Sequence, residues 1–161
     1  MGDDDTVLAT VSASAMRRGL GITMLGLLGL LLIYTGILRP PAHMGWQAFL
    51  VVMGILSLWG AERMRRATRV AVELTEAGLR TSDGEMIAAM EDIASVDRGA
   101  FAFKPSNGFI LRLKGRAPGR WQPGLWWRFG PRVGIGGVTP GSQGKVMADI
   151  IAAKLAERDP R

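Results

Sequence analysis

Few side chains in this chain of 161 residues are equipped for covalent chemistry. There is no cysteine, and the one histidine, His43, has no second metal ligand near it in sequence. Thiolate nucleophiles, disulfides and sulfur-ligated zinc are excluded, and a histidine-based metal site has a single donor to start from. No serine stands in a Gly-x-Ser-x-Gly elbow, so an activated hydroxyl cannot be assigned. Glu91 and Asp92 are adjacent carboxylates. Neighbours in sequence do not face a common site on a strand or helix, so they read as a solvated turn rather than an acid/base pair. Gly134-Ile135-Gly136-Gly137 lacks the spacing of a dinucleotide loop, and Gly141-Ser142-Gln143-Gly144-Lys145 lacks the full spacing of a phosphate loop. The sequence therefore points away from an enzyme, and no catalytic, cofactor-binding or metal-binding residue can be named.

Cations and tryptophans are the residue types that do concentrate. Between Asp97 and Asp149 there is no acidic residue, while Arg98, Lys104, Arg112, Lys114, Arg116, Arg120, Arg128, Arg132 and Lys145 all fall in that interval. Trp121, Trp126, Trp127 and Phe129 are interleaved with them. Indoles beside cations suit the interface of an anionic membrane, where each nearby Lys or Arg contributes about 1 kcal/mol. The candidate lipid- or partner-contacting residues are Arg112, Lys114, Arg116, Arg120, Trp121, Trp126, Trp127, Arg128 and Arg132. The competing reading, equally weighted, is that the cations are solvated strand faces and the tryptophans cover a small core. Nucleic acid, bound by stacking rings and cations, is a weaker alternative. The net charge of +6 does not favour it, because a membrane protein accumulates Lys and Arg for reasons of topology.

Two apolar runs must position these residues. Gly19 to Leu38 and Met44 to Ala61 contain no charged residue, and at about 1.5 Å per residue each is close to the roughly 30 Å of a hydrocarbon core. They read as a transmembrane helical hairpin, turned by Pro40 and Pro41, which cannot continue a helix. Trp46, Trp59 and Tyr34 fall near helix ends, where amphipathic rings prefer the interface. Arg17 and Arg18 precede the first run and Arg63, Arg65, Arg66 and Arg69 follow the second, so both ends of the chain are expected in the cytoplasm. The first run exceeds a signal-peptide core and has no cleavage pattern after it. Met1-Gly2 with Thr6 formally fits a myristoylation pattern, but Asp3, Asp4 and Asp5 fill the positions between and two helices already provide an anchor.

Gly26, Gly29 and Gly36 on the first helix and Gly54, Ser57 and Ala61 on the second are small enough for close helix approach. Packing within the hairpin is the favoured use. A contact with a second copy or with another integral membrane protein is the alternative, and it would make the chain an assembly subunit of a larger complex.

Residues 1–18 read as an N-terminal tail, 67–157 as a water-soluble domain of mainly β structure and 158–161 as a second tail. Val70, Val72 and Leu74 alternate with polar positions as in a half-buried strand, and Ser82-Asp83-Gly84 is a hairpin turn. Met90 to Val96 is less regular, with Ile93 and Val96 three apart, and fits a helical turn leading into a strand. Ala100 to Phe103 and Phe109 to Lys114 are expected to pair as a second hairpin, Gly115 to Pro131 to form a long loop, and Arg132 to Val138 a strand whose glycine face receives the tryptophans. Gln143 to Glu157 has the apolar spacing of one C-terminal helix.

Leu74-Thr75-Glu76-Ala77-Gly78-Leu79-Arg80, then Asp83-Gly84, then Asp92-Ile93 with Val96, resembles the opening of the bacterial pleckstrin-homology-like domains that follow a pair of transmembrane helices. The resemblance spans about Arg69 to Leu155 and leaves out the tryptophan-bearing loop. It implies a small antiparallel β domain closed by a C-terminal helix, a place in the bacterial inner membrane and no catalytic residues. The fold class expected is α+β, a two-helix membrane hairpin joined to that domain.

Overall fold

The two apolar runs form long helices in the computed structural model, which describes residues 6–97 and 107–158. Helix α1 (Ala15–Leu38) and helix α2 (Met44–Ala67) have 24 residues each, about 36 Å of helix. Their connected ends fall where the prolines require. The other ends run further than the apolar stretches: α1 begins at Ala15 rather than Gly19, and α2 continues through Ala67 rather than stopping at Ala61. Charge ends the apolar run without ending the helix, because Glu62 accepts from Arg65 at 2.6 Å and Arg66 at 2.5 Å, partners one turn away. Only 11% of the most apolar window of each helix is buried inside the protein, whereas a core helix is mostly covered. Both are long and apolar enough to cross a membrane.

Two antiparallel sheets make up the rest, with one helix. Strands β1 (Ala9–Val11), β2 (Val72–Leu74), β3 (Gly78–Thr81) and β4 (Met86–Ala89) pair in that order. Strands β5 (Ile93–Asp97), β6 (Phe109–Gln122) and β7 (Trp126–Ile135) form the second sheet, and α3 (Gly141–Arg158) follows. The Asp83-Gly84 turn joins β3 to β4, with Gly84 at φ +92° and the Thr81 hydroxyl on the Asp83 carboxylate. Met90–Asp92 is a 3-10 turn leading straight into β5, which resolves the ambiguous segment.

One expectation is corrected here and another is not reached. Residues before the hairpin are not merely a tail, because β1 pairs along β2 with Ala9 opposite Leu74 and Val11 opposite Val72, and the Val11 side chain is wholly buried. A strand of three residues is too short to show a period, and its partner lies beyond both helices. Phe109 to Lys114 pairs with β5, Asp97 facing Ile110 and Ile93 facing Leu113. The partner expected for it, Ala100 to Phe103, lies outside the described residues, as do Arg98 and Lys104.

The core lies between the sheets and α3. Leu74, Leu79 and Ile87 from the first sheet meet Leu111, Val133 and Ile135 from the second, with Met147 and Ile151 from the helix. On β6 the expected inward set Phe109, Leu111 and Leu113 is buried, and Ile110 on the opposite face is buried too.

Candidate functional site: the folded β6–β7 ribbon

The burial of Ile110 follows from the course of the chain between Gly115 and Pro131, which is a β ribbon and not a loop. At its base Phe109 pairs with Ile135 and Arg112 with Arg132; towards its tip Arg120 pairs with Arg128, Trp121 with Trp127 and Gln122 with Trp126. The register breaks on either side of Ala117, beside Pro118, where a missing N–H does least harm to the ladder. The ribbon is folded back on itself. Gly136 N–H donates to the Leu125 carbonyl at 2.8 Å, and Val138 N–H to Gly124 at 3.0 Å, so the end of β7 returns to the tip from which it started. Trp127 and Gly134 stand about 23 Å apart along a straight strand. Here the Trp127 ring lies so close that a Cβ on Gly134 would fall 2.3 Å from it. The bend takes place at Gly130, whose φ of +57° suits glycine, next to Pro131. Gly134 pairs with Ile110, and the ring above it shields both.

This geometry divides the tryptophans. Trp126 is 1% exposed and belongs to the core, so it is removed from the candidate contact set. Trp127 is half-buried on Gly134, with its ring 5.7 Å from that of Phe129. Trp121 and Phe129 remain open to solvent, 50% and 57% exposed.

It divides the cations as well. Arg128 donates from Nη1 to the Ile87 carbonyl at 2.6 Å and from Nε to the Pro118 carbonyl at 3.0 Å, which bolts the ribbon to β4, the outer strand of the four-stranded sheet. Arg120 forms an ion pair with Glu85 at 2.8 Å beside the same strand. Arg128 is therefore a structural clamp, and Arg120 is shared between the surface and a salt bridge. Nothing local in the sequence announces Ile87 or Glu85 as their partners, since both acceptors come from the preceding sheet. Arg112, Lys114, Arg116 and Arg132 are exposed and make no ion pair among the described residues. Arg112 and Arg132 face each other directly across β6 and β7, a like-charge pairing that costs a few tenths of a kcal/mol up to about 1 kcal/mol.

The small residues of the hairpin also separate. A Cβ on Gly29 would come within 2.8 Å of the Gly54 carbonyl, one on Gly54 within 2.6 Å of Ile33, and one on Gly36 within 3.0 Å of Val51. These three hold α1 against α2, and Ala61 is buried nearby in sequence. Gly26 meets nothing within 4 Å and faces outward. The Ser57 hydroxyl is turned onto its own helix, donating to the Met53 carbonyl at 2.8 Å.

Arg17 and Arg18, read from sequence as topology signals, also join hairpin to domain. Arg17 donates to the Thr139 carbonyl at 3.1 Å and Arg18 to that of Thr68 at 3.2 Å, while Ser14 N–H donates to Val138 at 2.8 Å. Met64 of α2 packs between Gly21 of α1 and Gly124 at the ribbon tip. The Gly141 to Lys145 motif serves packing too, since a Cβ on Gly144 would lie 3.0 Å from the Asn107 carbonyl.

The class defined is an α+β protein whose first strand is separated from its second by two helices long and apolar enough to cross a membrane. Comparison with protein-family models, with curated proteins and with solved structures finds no match.

Proposed function

We propose that the chain is a non-enzymatic, two-span protein of the bacterial inner membrane whose pleckstrin-homology-like domain, on the cytoplasmic side, presents the basic face of its ribbon to anionic phospholipid headgroups. The carrying observation is the facing pair Arg112 and Arg132, exposed, without ion pairs among the described residues and joined on the sheet by Lys114. Two guanidinium groups held opposite each other favour an anion between them, because a phosphate accepts from both at once. The two antiparallel sheets and single closing helix support the domain assignment, and the arginines at the inner helix ends support the orientation. A role as an assembly subunit docked through Gly29, Gly36 and Gly54 is less well supported, because those glycines are occupied inside the hairpin.

The test uses the full chain, since a fragment starting at Ala67 would lack β1. Purified protein in neutral detergent is titrated with short-chain phosphatidylglycerol and with phosphatidylcholine at rising salt. Preferential binding of the anionic lipid, weakening with salt and lost in Arg112→Gln/Arg132→Gln, is expected. Equal binding of the two lipids, or binding indifferent to salt, would refute the proposal.

A further inference from the structure

We infer that the tip of the β6–β7 ribbon, with Trp121 at its exposed edge, is immersed in the headgroup layer of the bilayer that α1 and α2 cross. This rests on the two-span reading above but not on the basic face. Depth along α2 is marked by Trp59, 54% exposed, with the Arg63 guanidinium 5.6 Å from its ring centre. An indole capped by a cation at the end of an apolar run is what the boundary between hydrocarbon and headgroups selects. Met64 follows Arg63 on the same turn, and its Cε lies 3.2 Å from where a Cβ on Gly124 would sit. Thr68 Cγ2 lies 3.4 Å from the same position, so Gly124 sits between the levels of Met64 and Thr68, about 2–8 Å beyond Arg63 along the helix axis. The headgroup region is about 5–8 Å deep on each side, and Trp121 is close enough to Gly124 in sequence that their Cα atoms are at most about 10 Å apart.

The contacts of Arg17, Arg18 and Ser14 with Thr139, Thr68 and Val138 remove the freedom to swing away that a flexible linker would give. The tip is held at that level, Trp121 stands within about 10 Å of it with half of its surface uncovered, and Gln122 beside it supplies an amide for the carbonyl and phosphate oxygens found there. The occupant that fits an open indole with a polar edge at this depth is the phospholipid headgroup layer of the protein's own membrane.

The absence of cysteine makes the test direct. Full-length Trp121→Cys, Gln122→Cys, Arg63→Cys and Glu157→Cys are each spin-labelled in vesicles of phosphatidylcholine alone, where the basic face has no anionic lipid to bind. Collision with a water-soluble nickel complex is then measured. Labels at 121 and 122 are expected to be shielded to the same extent as at 63, with the label at 157 fully accessible. Gln122→Cys retains the indole, so a folding defect of the Trp121 variant cannot imitate a negative result. Full nickel access at 121 and 122 with shielding at 63 would overturn the inference alone, whereas access at 63 as well would remove the two-span reading itself. Shielding that vanishes on dilution to one chain per vesicle would assign the surface to a second copy and also overturn it.

Discussion

Replacing Arg128 by alanine separates clamp from contact surface, because sequence places Arg128 among the lipid-facing cations and structure places it between two backbone carbonyls. The side chain is half-buried, and its bond to the Ile87 carbonyl at 2.6 Å joins the ribbon to a strand of the other sheet. A hydrogen bond from a charged group contributes about 1.5–3 kcal/mol, and the acceptor left behind is on a buried residue that water reaches poorly. The second bond, to Pro118 at 3.0 Å, is exposed and adds little. A net loss of about 2 kcal/mol is expected, which lowers the melting temperature of a domain this size by about 8 °C. Arg128→Lys should recover only part of the loss, since an ammonium cannot reproduce the fork that reaches both carbonyls. Thermal unfolding of the full chain in detergent, followed by near-ultraviolet circular dichroism, reads the effect through the tryptophans. In parallel, the same variants are titrated with anionic lipid at a temperature where all are folded. An Arg128→Ala protein that melts like the parent, yet loses as much lipid binding as Arg112→Gln/Arg132→Gln, would refute the division of roles.

Two further substitutions probe the hairpin and the first strand. Gly29→Ile drives a side chain into the Gly54 carbonyl and Leu58, so it should separate α1 from α2 and lower the melting temperature, while Gly26→Ile should be tolerated; equal behaviour of the two in thermal unfolding would count against the packing described. Val11→Asp places an unpaired carboxylate in the core and should destabilise the domain by about 3 kcal/mol or more, whereas a solvated tail would absorb it without change; unfolding in urea distinguishes these.

What was legible in the sequence is what local pattern specifies. The hairpin ends at Leu38 and Met44 follow from charge-free runs and prolines, the β3–β4 turn from Asp83-Gly84, and α3 from the spacing of Met147 and Ile151. The C-terminal end of α2 is not legible in the same way, because Glu62, Arg65 and Arg66 leave the apolar pattern while continuing the helix by pairing among themselves. The ribbon is hidden in the sequence because Pro118, Pro123, Pro131 and several glycines occupy it, and these residues ordinarily interrupt strands. Here they fall at the register breaks, the tip and the bend, the places where a strand that doubles back must be interrupted. The glycine-bearing face of β7 did foretell a bulky neighbour, and Trp127 on Gly134 is that neighbour. The separation of Trp126 from Trp121, and of Arg128 from Arg112, depends on which way the doubled ribbon faces. That is decided by contacts with Ile87 and Glu85, which belong to the other sheet.

Because β1 is made before the two helices and β2 after them, β1 cannot join the sheet until the ribosome has delivered Val72. On the two-span reading, Val11 waits through that interval without a mate. A nascent chain in which only one of the two helices has been threaded keeps these strands on opposite sides and never joins β1 to β2. On the same reading, closing the sheet reports on insertion: a correctly seated molecule buries Val11, and a misassembled one leaves the β2 edge open.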